Sequence, residues 1–306
     1  MKKRAIILLF FLVSFGQLFA QIPTWKVNES DYQYTMTFVA KLNVDGVPLT
    51  NSNDLVGAFV GTTCRGVSKL TYVASANSYF AYLIVLSNSP GEAITFNLYD
   101  SSKNKITKVS KTINFVATQN LGDLFQSYSI AEPALNNKAE IISFDFLNIN
   151  KISSVISSGS VKLGISQGND LANLTPVYIL SNGARLYKNK TLQSSGTTSM
   201  NFSAPVTYEV LSEDESTLVS YTVEVTPTLV PAVFYKKDVV CYEGGVIKVM
   251  FPIEKENVVL TKGGVTLSTQ IINAGQALFN NLTEGTYQIS VGGNVKEIKI
   301  NLKPTL

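Results

Sequence analysis

Tyr34-Thr35-Met36-Thr37-Phe38-Val39-Ala40-Lys41-Leu42-Asn43-Val44 is the stretch that decides the fold class. Tyr34, Met36, Phe38, Ala40, Leu42 and Val44 alternate with Thr35, Thr37, Val39, Lys41 and Asn43. A period of two places one set on each face of an extended chain, so this is a long strand with one buried face. Asp45-Gly46 follows as a turn. Outward from it, Leu55 to Val60 and Val67 to Tyr72 read as the next strands, separated by a turn that begins at Gly61. Tyr79 to Leu86 is a continuous apolar run between Asn77-Ser78 and Asn88-Ser89-Pro90-Gly91, and reads as a strand buried on both faces. Ile94, Phe96 and Leu98 alternate again. A turn at Ser101 to Asn104 leads into an expected strand over Lys105 to Phe115, and Tyr128 to Ile130 closes the module.

The pattern repeats twice more. After a polar link at 134–139, strands are expected at Ile141 to Phe146, Val161 to Ile165, Val177 to Leu180, Val206 to Leu211 and Leu218 to Val225, with a helical turn near Asp170 to Leu174. The last two strands form a hairpin around Glu213-Asp214-Glu215-Ser216. Pro227 and Pro231 bracket a second, stiffer link. Beyond it come Val246 to Phe251, Val258 to Thr261, Gln270 to Ile272, Ala277 to Phe279, Thr286 to Val291 and Val295 to Leu302. β-Branched and aromatic residues fill these segments, and no helical period is sustained anywhere. The expectation is an all-β chain of three consecutive β-sandwich modules, at 21–134, 140–227 and 232–306.

Residues 1–20 have the layout of a secretory signal peptide. Lys2, Lys3 and Arg4 precede an apolar run from Ala5 to Phe15, interrupted only by Ser14, and small Ala20 precedes Gln21. The run is too short to span a bilayer as a mature anchor, and no cysteine follows the expected cut, which argues against a lipoprotein. The formal charge of +3 comes from the same residues, since the 22 other basic residues equal the 22 acidic ones. A neutral mature chain has no electrostatic footprint for nucleic acid. Lys103, Lys105, Lys108 and Lys111 are dispersed and read as a solvated face. Export to a secreted or cell-surface location follows, with no integral membrane segment in the mature chain.

The chain contains no histidine and only two cysteines, Cys64 and Cys241. Imidazole-based triads and metal sites are excluded, as is a structural zinc site. The cysteines read as separate buried thiols or as a bridge between modules. A histidine-free hydrolase would need a pair of carboxylates, and Asp45, Asp54, Glu92 and Asp100 are available, though each also has a turn or strand-end role. No catalytic residue is assigned. No cofactor is expected apart from calcium, for which Asp45, Asn53 and Asp54, with Asn51 beside them, offer oxygen ligands; turn chemistry accounts for the same residues. Trp25, Tyr32, Tyr34, Tyr72, Tyr79 and Tyr82 crowd the first module. Trp25, Tyr32 and Tyr72 lie nearest strand ends and are the candidates for a sugar-stacking platform; the competing reading is that they fill the core.

Several stretches carry a resemblance. Ile142-Ser143-Phe144, Val161-Lys162-Leu163, Asp170-Leu171, Leu174-Thr175-Pro176, Ser181-Asn182-Gly183-Ala184, Phe202 to Val210 and Tyr221-Thr222-Val223-Glu224-Val225 resemble an immunoglobulin-like repeat of Bacteroidetes surface and secreted proteins, over residues 140–226. The resemblance implies a spacer or binding sandwich without catalytic residues. The first module is similar to N-terminal β modules of exported proteins of that phylum, through Trp25-x-Val27, Asp54-x-x-Gly57-Ala58-Phe59-Val60, Cys64-Arg65-Gly66-Val67 and Gly91-Glu92-x-Ile94-x-Phe96-x-Leu98-Tyr99-Asp100. Asn281-Leu282-Thr283-Glu284-Gly285-Thr286-Tyr287 in the third resembles transthyretin-like or collagen-adhesin B-type sandwiches, and also the end of type IX sorting domains, though the usual Pro-Asn-Pro opening is missing. The chain is therefore read as a non-catalytic exported protein for binding, adhesion or scaffolding at the cell surface. The alternative is an accessory glycan-binding protein of a polysaccharide-utilisation system. Its partners would be polysaccharide or other surface proteins.

Overall fold

The computed structural model describes residues 22–240 and 243–303. The expected signal peptide and Cys241 lie outside the described residues. Within them the chain is all-β, and its only helical segments are three short 3₁₀ turns, Glu29–Asp31, Ala74–Ala76 and Leu171–Asn173. No helix among the described residues is long and apolar enough to cross a membrane. The chain divides into two compact units, one ending at Leu135 and the other beginning at Asn136.

The first unit contains β1 (Tyr34–Val44), β2 (Val47–Pro48), β3 (Leu55–Val60), β4 (Thr63–Val73), β5 (Ser78–Ser87), β6 (Ala93–Asp100), β7 (Lys105–Lys108), β8 (Ile113–Asn114), β9 (Asn120–Leu121) and β10 (Tyr128–Glu132). The main strand order is β10-β1-β5-β4-β3-β6-β7. β4 is the corner: its first half, to Lys69, pairs with β3, and Leu70 to Val73 pair with β5. The sheet folds over at this strand. β1 and β6 stand four places apart in the order, which in a flat sheet means about 19 Å. Yet the Phe38 and Phe96 rings meet edge-to-face with centroids 5.8 Å apart. The alternation read in β1 holds from Met36, with Met36, Phe38, Ala40, Leu42 and Val44 buried against Val56, Ala58, Leu83, Val85, Phe96 and Leu98, but Tyr34 at the strand's start is exposed and Asn43 is buried near its end.

Two expectations change here. β5 is not buried on both faces, because Tyr82 and Ile84 are about half exposed while Leu83 and Val85 are fully buried. A continuous apolar run conceals which residues face solvent, and only the pairing shows it. The expected strand over Lys105 to Phe115 is broken into β7 and β8, both paired with β6. Between them, Val109 donates its N–H to the Phe96 carbonyl.

The second unit contains β11 (Ile141–Phe146), β12 (Lys151–Ser157), β13 (Ser160–Ser166), β14 (Pro176–Leu180), β15 (Arg185–Lys188), β16 (Thr191–Leu192), β17 (Val206–Leu211) and β18 (Leu218–Thr228). It continues with β19 (Val233–Lys237), β20 (Gly245–Met250), β21 (Asn257–Lys262), β22 (Val265–Ile271), β23 (Gln276–Leu282), β24 (Gly285–Val291) and β25 (Asn294–Ile300). The expected hairpin is β17–β18, paired from Val206↔Val223 to Leu211↔Leu218. β12, β15, β16 and β19 were not read from the sequence; β12 is mostly exposed, with only Ile152 and Ile156 half-buried on one face. Two hydrophobic clusters fill this unit. One is centred on Phe144, Phe202 and Tyr208, the other on Phe251, Phe279 and Ile289. The segment between them is held by Asn294, whose Nδ2 donates to the Val230 carbonyl at 2.7 Å.

Candidate functional site

The platform candidates occupy different places on the first unit. Trp25 is half-buried and lies on Gly57 of β3, where any Cβ would come within 2.7 Å of its ring. It meets Phe59 edge-to-face at 5.6 Å. Tyr32 is half-buried beneath the Arg65 guanidinium, 4.6 Å from its ring centroid. Arg65 also pairs with Glu92 at 3.1 Å. Tyr72 is 50% exposed. Arg65 and Tyr72 are seven residues apart on β4, about 23 Å along an extended strand. Tyr32 and Tyr72 therefore cannot serve one sugar ring together.

Tyr72 has a built environment. It faces Tyr79 across the β4–β5 ladder, with ring centroids 5.2 Å apart at a 54° tilt. Tyr79 is itself packed against the core. The Tyr72 hydroxyl donates to Asn77 Oδ1 at 2.7 Å, which fixes the ring at both ends. The left-handed Asn77 (φ 47°) closes the short 3₁₀ turn between the two strands and so presents that acceptor.

Tyr79 also lines a cleft of about 510 Å³, together with Leu49, Asn51, Asp54, Asp100 and Lys103. Two aspartates shape it through turn chemistry. Asp54 Oδ1 accepts from the Ser101 N–H (2.8 Å) and hydroxyl (2.6 Å), and Oδ2 accepts from the Asn51 N–H at 2.9 Å. Asp54 thereby ties the loop before β3 to the loop after β6. Asp100 Oδ1 accepts from the Ser102 N–H (3.0 Å), its hydroxyl (2.5 Å) and the Lys103 N–H (3.1 Å). Lys103 Nζ stands 3.3 Å from Asp100 Oδ2. Burial pushes the Asp100 carboxyl up, but the hydrogen bonds from Ser102 and Lys103 outweigh it and hold the group below its ordinary range. A general acid needs the opposite shift. The cleft thus offers an aromatic wall, hydroxyls, an amide, two carboxylates and one ammonium.

The calcium candidates share turn roles. Asp54 is buried with both oxygens accepting hydrogen bonds. Asp45 is exposed in the β1–β2 turn in a left-handed conformation (φ 55°), and exposed Asn53 donates its N–H to Asn51 Oδ1 at 2.9 Å. Of the three, only Asp54 lines the cleft. Cys64 is a free thiol and half-buried, more open than the sequence suggests; it lies at the start of β4, opposite Phe59 of β3. Sequence reasoning missed the Tyr72–Tyr79 pair as a unit; its solvated reading of Lys103 agrees with the exposed side chain, though not with a place at the rim of a cleft. The 3₁₀ turn that makes residues 72 and 79 opposite neighbours has no separate signal in composition.

Comparison with known proteins adds the following. A Bacteroides thetaiotaomicron structure, described as a candidate glycoside hydrolase, is 23% identical with a TM-score of 0.28, covering 44% of this chain and 36% of that one. The chain thus spans little more than a third of that protein. A candidate secreted protein from Bacteroides fragilis is 16% identical with a TM-score of 0.25, covering 30% of this chain and 97% of that one. The I9–I11 tandem of titin is 10% identical with a TM-score of 0.34, covering 89% and 100%. At such scores these likenesses say nothing about function. No curated protein matches the chain. Residues 141–225 match the family model described as "SGBP, N-terminal", the N-terminal region of surface glycan-binding proteins. The matched segment is less than a third of the chain's 306 residues.

Proposed function

We propose that this chain is an exported surface glycan-binding protein that holds polysaccharide at the Tyr72–Tyr79 pair and its adjoining cleft. The carrying observation is the half-exposed Tyr72 ring, fixed by Tyr79 and Asn77 beside a cleft of hydrogen-bonding groups. A sugar ring has apolar C–H faces and a polar rim. It stacks on an aromatic face and presents its hydroxyls to the groups around it. The family match over 141–225 favours glycan binding over the adhesion or scaffolding role that the sequence first suggests. In this reading the module at 21–134 makes the contact with polysaccharide.

Affinity electrophoresis of the chain without residues 1–20 against a panel of soluble polysaccharides tests the proposal. Tyr72→Ala should weaken binding by about 5- to 30-fold, the equivalent of roughly 1–2 kcal/mol for a half-exposed ring that becomes covered. Its melting temperature should stay close to that of the wild type. Undiminished binding by Tyr72→Ala, or binding to no polysaccharide in the panel, refutes it.

A further inference from the structure

The second unit carries another cleft, of about 350 Å³, between the loops after β11, β13 and β24 and the residues leading into β21. Its volume lies within the range of small-ligand sites, roughly 300–1,000 Å³. Its chemistry differs from the first cleft, since no aromatic residue lines it. Asn148, Asn150, Gln167, Asn169 and Asn257 supply five amide side chains. Two of them build the walls. Asn150 donates to the Glu254 carbonyl, and Asn169 donates to the Ser166 carbonyl at 2.7 Å. Among the described residues, the side chains of Asn148, Gln167 and Asn257 make no hydrogen bond, and they stand at the opening.

The loops that present these amides are held in place. Asn148 (φ 59°), Lys255 (φ 61°) and Gly293 (φ 79°) are left-handed, as is Gly168 (φ 104°). Gly168 and Gly293 approach so closely that a Cβ on Gly168 would lie 3.1 Å from the Gly293 nitrogen. A preformed cleft of this kind loses little entropy on binding. Each amide carries both donors and an acceptor, and so does each pair of neighbouring sugar hydroxyls. Lys255 and Glu256 line the cleft with opposite charges and without an ion pair between them, so no net charge favours an ionic ligand.

We infer that this cleft is a second ligand site, taking the uncharged, polyhydroxylated end of a glycan chain by hydrogen bonding rather than by stacking. It would grip a chain terminus, whereas an aromatic face accommodates the middle of a chain. The site stands on its own residues and does not require the first-unit cleft to be correct.

The test is isothermal titration of the chain without residues 1–20 against cellohexaose, maltohexaose and xylohexaose. Tyr72→Ala removes the first-unit contact, and Gln167→Ala with Asn257→Ala is added to it. The Tyr72→Ala chain should still bind one of the three sugars, with an affinity insensitive to salt. The triple variant should bind that sugar at least tenfold more weakly at an unchanged melting temperature, since both added changes are at exposed positions. Failure of Tyr72→Ala to bind any of the three, or equal affinity in the triple variant, overturns the inference. Failure of the first-unit proposal reads differently: Tyr72→Ala then binds as the wild type does, and the triple variant still decides this one.

Discussion

Asp54→Ala separates a structural carboxylate from a calcium ligand. Asp54 is 2% exposed and has no ion-pair partner among the described residues. It accepts from two backbone N–H groups, those of Ser101 and Asn51, and from the Ser101 hydroxyl. The hydroxyl can turn to another acceptor, so the two backbone donors set the scale. A buried donor left without a partner costs about 1–3 kcal/mol, which gives about 2–6 kcal/mol for two. Removing a buried charge that lacks a cation relieves some desolvation, which places the net loss near 3 kcal/mol. In the first unit this corresponds to roughly 10–15 °C in the melting transition. Asp54→Asn keeps one acceptor for Ser101 and should lose about 1–2 kcal/mol. Scanning calorimetry in EDTA and again in calcium chloride is the assay. The expected loss is the same in both. A wild type that melts lower in EDTA, with an Asp54→Ala variant matching it there and gaining nothing from calcium, would refute the structural account and make Asp54 a metal ligand.

Trp25→Ala should cost about 1–2.5 kcal/mol, because the ring covers Gly57 and Phe59 from a half-buried position rather than filling the core. Gly57→Ala should dislodge the same ring and red-shift the emission of the only tryptophan; unchanged emission would contradict the contact. Burial raises the Cys64 thiol, against a weaker lowering contribution from the Gly66 backbone, so alkylation of Cys64 at mildly basic pH should be slow until the chain is denatured. Peptide mapping that finds Cys64 labelled at the rate of a free thiol would contradict this. Burial also raises the Glu256 carboxyl. The folded chain then keeps this proton to a higher pH than the unfolded chain, so Glu256 makes stability fall as pH rises from the ordinary glutamate range through the raised value. Glu256→Gln should flatten that slope in urea midpoints measured from about pH 4 to 7; an unaltered slope would remove Glu256 as its source.

Strand identity was legible where one face is buried. In β1 and β17–β18 an apolar residue recurs at every second position along one face, and both segments form where the alternation places them. The absence of histidine likewise limits the available chemistry through composition alone. The tertiary structure decided what local pattern cannot encode. Tyr79 to Leu86 has no polar residue to mark its open face, and only pairing with β1 and β4 exposes Tyr82 and Ile84. Mostly exposed β12 carries a weak signal, because only Ile152 and Ile156 are half-buried and the ladder with β13 holds the rest. Asp54 reads equally well as a metal ligand or a turn residue until Ser101, 47 positions away, is seen donating to it. Tyr72 and Tyr79 become one surface only because β4 changes partner at Leu70, bringing its second half against β5. Local periodicity is a property of neighbours in sequence and so determined the strands; the candidate sites are made of residues distant in sequence, whose meeting depends on how the sheets close.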